Sequence, residues 1–295
     1  MRARHPDEEG YIDRSGVRIF YETYGNGAPT VLFLPGWAIV HSRIWKAQIP
    51  YFARHCRVVT FDPRGNGKSD RPLDPAAYAD TEYVRDSLVV MDATGTERAI
   101  MVGVSRGGWY AAMLAAQYPD RVLAAVMAGS VSPLGHPLPE RTVYSFEDRL
   151  ETEEGWAKFN RHYWHKDYRG FLEFFFSKVF VEPHSTKQIE DGVAWGLETT
   201  PDVLIATIRS PNFLDHLRAD PEEAVAFYRS IRCPILVIHG KQDKIQSLSQ
   251  GVAIAEATGA PLITIVGGGH NNFGRDPVKA NLLLRAFIDR VCPLH

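Results

Sequence analysis

Gly103-Val104-Ser105-Arg106-Gly107 sets a serine between an apolar run, Ala99 to Val104, and an alanine-rich stretch of helical character, Trp109 to Gln117. Gly-x-Ser-x-Gly in a strand-to-helix turn is the pattern that lifts a serine hydroxyl above a sheet as a nucleophile. So sharp a turn pushes the serine to a strained, positive φ, at a cost of about 1–3 kcal/mol. Gly103 and Gly107 let strand and helix approach without Cβ clashes. A hydroxyl is a weak nucleophile, so it needs a base within hydrogen-bond reach, and the base needs an orienting carboxylate. One histidine follows the last predicted strand, in Gly267-Gly268-Gly269-His270, and one acid follows the strand before it, in His239-Gly240-Lys241-Gln242-Asp243. Serine, aspartate, histidine is the chain order found where the nucleophile sits on such a turn. Ser105 is thus the expected nucleophile, His270 the base and Asp243 its orienting acid.

Attack on a carbonyl also needs donors for the oxyanion. The backbone N–H of Arg106, next after the nucleophile, supplies one. The second is assigned to the Trp37 N–H in Pro35-Gly36-Trp37, after the first buried strand. Each such donor contributes about 2.7–4 kcal/mol in a transition state. Gly36 and Trp109 are expected to line the substrate pocket, and the Trp37 side chain to wall it. Other residues fit less well. His239 reads as a packed strand-end residue, and Asp62 as tying its own loop through Arg64. Asp276 reads as a helix N-cap before Pro277. His162 and His165 share a helical face without a carboxylate at metal spacing, and His-Glu-x-x-His is absent, so no metal site is expected. Gly65-Asn-Gly-Lys-Ser has the look of a phosphate loop, but Asp62 stands where that motif needs glycine and would repel phosphate.

The elements that must position these residues follow from hydrophobic pattern. Tyr11 to Thr23 alternates about Gly16 as an antiparallel hairpin does. Thr30 to Leu34, Arg57 to Phe61, Ala99 to Val104, Arg121 to Ala128, Pro234 to Gly240 and Pro261 to Val266 read as buried strands. Helical spacing marks Ser42 to Arg54, Thr81 (as N-cap) to Gly95, and Pro277 to Arg290. Strands alternating with helices imply right-handed crossovers and a mostly parallel sheet with helices on both faces. From 132 to 229 the pattern turns helical and aromatic, which predicts a helical cap or lid over a core of 1–131 and 230–295. Most of its aromatics are expected to pack on one another, and the few facing the sheet to supply an apolar pocket over Ser105.

With 295 residues and a formal net charge of −2, nothing electrostatic points to nucleic acid or an anionic membrane as a partner. No apolar run of about 18 residues would span a bilayer, and the N-terminal residues lack the apolar core of a signal peptide. Cys56, Cys233 and Cys292 make neither a metal cluster nor an even disulfide framework, so a cytoplasmic location is expected. Oligomeric state is left open.

Pro35-Gly36-Trp37, the Asp62-to-Asp70 loop, the Ser105 turn, Asp243 and Gly269-His270 together resemble the α/β-hydrolase superfamily along nearly the whole chain. The resemblance implies a cofactor-free serine hydrolase. Residues 35–72 are similar to small carboxylesterases, carbon–carbon bond hydrolases and cofactor-free perhydrolases. Serine at the turn, rather than aspartate, argues against haloalkane dehalogenase and epoxide hydrolase chemistry. Pro35 replaces the histidine that many relatives carry before the oxyanion glycine. The expected activity is cleavage of a small carboxylic ester through an acyl-enzyme. The alternatives are carbon–carbon hydrolysis or perhydrolysis on the same triad, and a non-catalytic ligand-sensing module.

Overall fold

The computed structural model describes residues 4–293. Eight strands, β1 (Glu8–Arg14), β2 (Val17–Tyr24), β3 (Thr30–Phe33), β4 (Arg57–Phe61), β5 (Ala99–Val104), β6 (Val122–Ala128), β7 (Ile235–Gly240) and β8 (Leu262–Ile265), form one sheet. Their order is β1-β2-β4-β3-β5-β6-β7-β8. β2 pairs antiparallel with β1 and β4, and every later pairing is parallel. β5 and β7 are buried along their whole length, which is why they read as unbroken apolar runs. Successive residues of β5 enter opposite cores: Ala99 and Met101 one, Ile100, Val102 and Val104 the other.

Helices α1 (Ile49–Phe52), α11 (Asn272–Arg275) and α12 (Pro277–Val291) cover one face, while α2 (Asp80–Ala93), α3 (Arg106–Gln117), α9 (Pro221–Arg229) and α10 (Leu248–Thr258) pack on the other. Among the described residues no strand lies between β6 and β7. That interval carries an inserted helical cap of α4 (Arg161–Lys166), α5 (Tyr168–Val179), α6 (Thr186–Gly196), α7 (Pro201–Ile208), α8 (Phe213–Ala219) and α9. Trp164 and Phe171, 4.5 Å apart by ring centroids, centre an aromatic cluster that also takes in Trp37, Ile39 and Val40 from the loop after β3.

Local details depart from the sequence expectations for identifiable reasons. Ser42 to Arg54 is not one helix but a 3-10 turn, Ser42–Trp45, followed by α1. Pro50 sits in the first turn of α1, where its missing N–H costs nothing. Helix α2 starts at Asp80 rather than after a Thr81 cap, and Ala79 at its N-cap offers no side-chain acceptor. Asp80 is instead buried, accepting from Trp109 Nε1 at 3.0 Å and from the Leu214 N–H at 3.3 Å. Asp62 does hold its own loop, accepting from the backbone of Ser42 and Lys68, but not through Arg64. Arg64 reaches α2 and grips Asp86 with two bonds of 2.7 Å. Asp276 caps α12 as expected, accepting from the Lys279 N–H.

Candidate active site

Ser105 lies between β5 and α3 with φ 59° and ψ −121°, a left-handed conformation that a non-glycine residue holds only under constraint. Its N–H donates to Ala128 O on β6 at 2.9 Å, and its carbonyl accepts from Val131 N at 3.3 Å. The turn is closed too tightly for a side chain at Gly103, where a Cβ would stand 2.1 Å from the Gly107 backbone.

His270 follows β8 and Asp243 follows β7, and the two meet: His270 Nδ1 lies 2.8 Å from Asp243 Oδ2. The other carboxylate oxygen accepts from the backbone N–H groups of Ile245 (2.7 Å) and Gln246 (2.8 Å). Burial would raise the Asp243 pKa, but the attraction of His270 and the bonds from both histidines overcome it and hold the carboxyl well below the usual range. His239, fully buried, sets Nε2 3.4 Å from the same Oδ2 and 3.1 Å from Gln246 O, the packed strand-end role expected of it. Neighbouring backbone completes the arrangement. Gly129, just past β6 with φ 47°, leaves space that a Cβ would fill at 3.1 Å from His270 Nδ1 and 3.2 Å from Asp243 Oδ2.

Ser105 and His270 face one cavity of about 500 Å³, whose other walls are mainly apolar: Val40, Ile44, Phe175, Phe176, Val179 and Phe180. The aromatic residues of α5 thus roof the serine. Gly36 and Trp37 also line the cavity. A Cβ at Gly36 would come no nearer than 3.6 Å to any atom, so the room left by this glycine belongs to the cavity. Trp37 Nε1 donates to Thr207 Oγ1 of α7 at 2.7 Å, fixing the indole between core and cap. Arg106 is the first residue of α3, so its N–H has no intrahelical acceptor. Trp109 does not line the pocket. It is completely buried between α3 and α9, against Phe227 and Tyr228, and spends its indole N–H on Asp80.

A family model described as alpha/beta hydrolase fold matches residues 29–277. The chain belongs to the α/β-hydrolase fold family. A bifunctional esterase/perhydrolase from Acinetobacter calcoaceticus is 28% identical over 250 residues, covering 80% of this hydrolase and 83% of that protein. A 3-oxoadipate enol-lactonase from Acinetobacter baylyi is 24% identical, covering 93% and 94%. Among solved structures, Est816, an N-acyl homoserine lactone degrading enzyme, superposes with a TM-score of 0.77 at 26% identity over 94% of this chain and all of that one. Among the described residues no helix of the hydrolase is long and apolar enough to cross a membrane.

Three features of this region are not among the sequence expectations: Gly129 beside the His–Asp pair, the buried His41 near Asp62, and Arg141, which lines a second cavity reaching Ser105. A glycine after a buried strand is the one trace that could have pointed to the first.

Proposed function

We propose that this hydrolase cleaves small carboxylic esters, with Ser105 as nucleophile, His270 as general base and Asp243 as the acid that orients it. The observation that carries the reading is the 2.8 Å bond from His270 Nδ1 to Asp243 Oδ2, with His270 facing the cavity into which Ser105 also opens. The bond requires the proton on Nδ1, which leaves Nε2 basic. Nε2 takes the Ser105 proton as Oγ adds to the ester carbonyl. The N–H groups of Arg106 and Trp37 receive the oxyanion. His270 then returns the proton to the departing alcohol, and in a second cycle deprotonates the water that cleaves the acyl-enzyme. General acid–base help of this kind contributes roughly 10²–10⁴-fold.

The bifunctional esterase/perhydrolase relative favours a second use of the same acyl-enzyme, with hydrogen peroxide in place of water. The cap is read as residues 132–229 over a core of 1–131 and 230–295. The three cysteines stand unpaired, which supports a reducing, cytoplasmic setting.

The test is turnover of p-nitrophenyl esters beside labelling with a fluorophosphonate. Wild type turns over and is labelled at Ser105, and Ser105→Ala loses both, with activity down by a factor on the order of 10³ or more. Equal turnover by the two proteins, or a label elsewhere, rejects the assignment.

A further inference from the structure

Ser105 opens into two chambers that share Trp37 and Phe175, and both have apolar walls, but only the second also carries cations. Besides the apolar one beneath α5, a second cavity of about 870 Å³ is lined by Ser105 together with Arg106, Arg141, Arg218, Gln246 and Gln250, and by no carboxylate. Two of these cations are already paired: Arg106 with Asp80 at 3.4 Å and Arg218 with Asp215 at 3.0 Å. Arg141 is not. Among the described residues no carboxylate lies within ion-pair distance of it. Its hydrogen bonding is confined to one nitrogen, Nη1, which donates to Ile245 O. Its Nε is enclosed and has no acceptor, and its guanidinium carbon lies 4.9 Å from the centre of the Trp156 ring and 5.7 Å from that of Phe159. Burial pulls its pKa down to about 10, and the nearby Asp243 resists that pull, so the group stays charged at neutral pH. A charge taken from water without a counterion is costly, and Nη2, which no hydrogen bond of the protein occupies and which is not enclosed as Nε is, can donate a charge-assisted bond to a carboxylate oxygen.

Resting on the esterase reading, we propose that the substrate is a hemiester of a dicarboxylic acid, its free carboxylate held by Arg141 in the cationic chamber. Orientation follows from His270, which lines the apolar chamber and not the cationic one. His270 must protonate the leaving oxygen, so an apolar alcohol departs through the apolar chamber while the acyl half, with its carboxylate, occupies the other. The ester bond breaks between acyl carbon and alkoxy oxygen. Ser105 Oγ forms the new bond, and its proton leaves with the alcohol.

Monobenzyl succinate, glutarate and adipate are to be compared with benzyl butyrate, valerate and hexanoate by release of benzyl alcohol. In wild type, kcat/KM for the hemiester exceeds that for its neutral partner by about tenfold or more at one chain length or another, through KM, and the advantage shrinks with added salt. Arg141→Gln brings the ratio of the two close to one, and Arg141→Lys restores part of it. A wild-type ratio at or below one for every length overturns the proposal, as does a ratio that Arg141→Gln leaves unchanged. A preference found only when the carboxylate is on the alcohol half, as in benzyl-free O-butyryl glycolate against ethyl butyrate, overturns it too. Fluorophosphonate labelling of Ser105 reports whether each variant is folded, and the wild-type ratio decides alone if none is. Loss of labelling and of neutral-ester turnover in wild type would count against the serine mechanism itself, a result distinct from a missing carboxylate preference.

Discussion

The backbone N–H of His270 donates to the carbonyl of Val179 at 3.0 Å, so the loop bearing the imidazole is tied to the last residue of cap helix α5. Beside it, Gly269 N–H donates to Glu182 Oε1 at 2.7 Å. The cap therefore does more than roof the pocket: it holds the base in place. Glu182→Ala removes a charge-assisted bond of about 1.5–3 kcal/mol. Steady-state kinetics should show kcat lowered by roughly tenfold with KM little changed. A change confined to KM would show that Glu182 shapes the pocket without steadying His270.

Gly129 has φ 47°, and a Cβ there would crowd both His270 Nδ1 and Asp243 Oδ2. Gly129→Ala is strained by its backbone conformation and also pushes the His–Asp pair apart. An error of about 1 Å in a catalytic group can cost on the order of 10²-fold; relieving these contacts needs a smaller shift, so kcat should fall by roughly tenfold while fluorophosphonate labelling slows in parallel. Retention of wild-type kcat would mean that the pair tolerates displacement.

Much of this architecture was legible because the parallel strands are buried on both faces and the reacting groups sit at their ends. Ser105, Asp243 and His270 each follow an apolar run, so the sheet alone carries them toward one edge. Trp109, expected in the pocket, is instead buried against α9. Ser105 has a positive φ and lines the cavities, while Trp109, inside α3, faces Tyr228. Arg64 was misassigned because Asp62 is its neighbour in sequence but Asp86 its partner in space. Arg141 lies in a stretch without periodicity, and its interest lies in the counterion it lacks, which no pattern of residue types records.

Asp86 accepts from Arg64 through both oxygens and from Arg14 Nε at 2.6 Å, and it is completely buried. Asp86→Ala would leave Arg14 and the interior Arg64 with Glu82 alone, whose Oε2 pairs with Arg14 and lies 3.6 Å from Arg64 Nη1. Breaking a buried pair in this way costs about 3–5 kcal/mol. Urea denaturation should register a loss of that size, and a loss under about 1 kcal/mol would place the cluster with weakly coupled surface pairs.

His41 joins core to cap by charge. Its ring is buried, with Nδ1 3.6 Å from Asp62 Oδ1 and Nε2 3.3 Å from Glu198 Oε1, the latter a close charge contact without good hydrogen-bond alignment. Burial alone would lower its pKa, but the two carboxylates outweigh burial and raise it to about 8 from 6.5. A histidine whose folded pKa is raised contributes stability that is complete below the unfolded value and is lost as pH climbs through the folded one. Converted at 1.36 kcal/mol per pH unit, that interval is worth about 2 kcal/mol. The urea midpoint should therefore decline between pH 6.5 and about 8, and His41→Phe should flatten the decline. A midpoint that is level or rising across this window in wild type would show that His41 is held neutral, and that the link between Asp62 and Glu198 is not ionic.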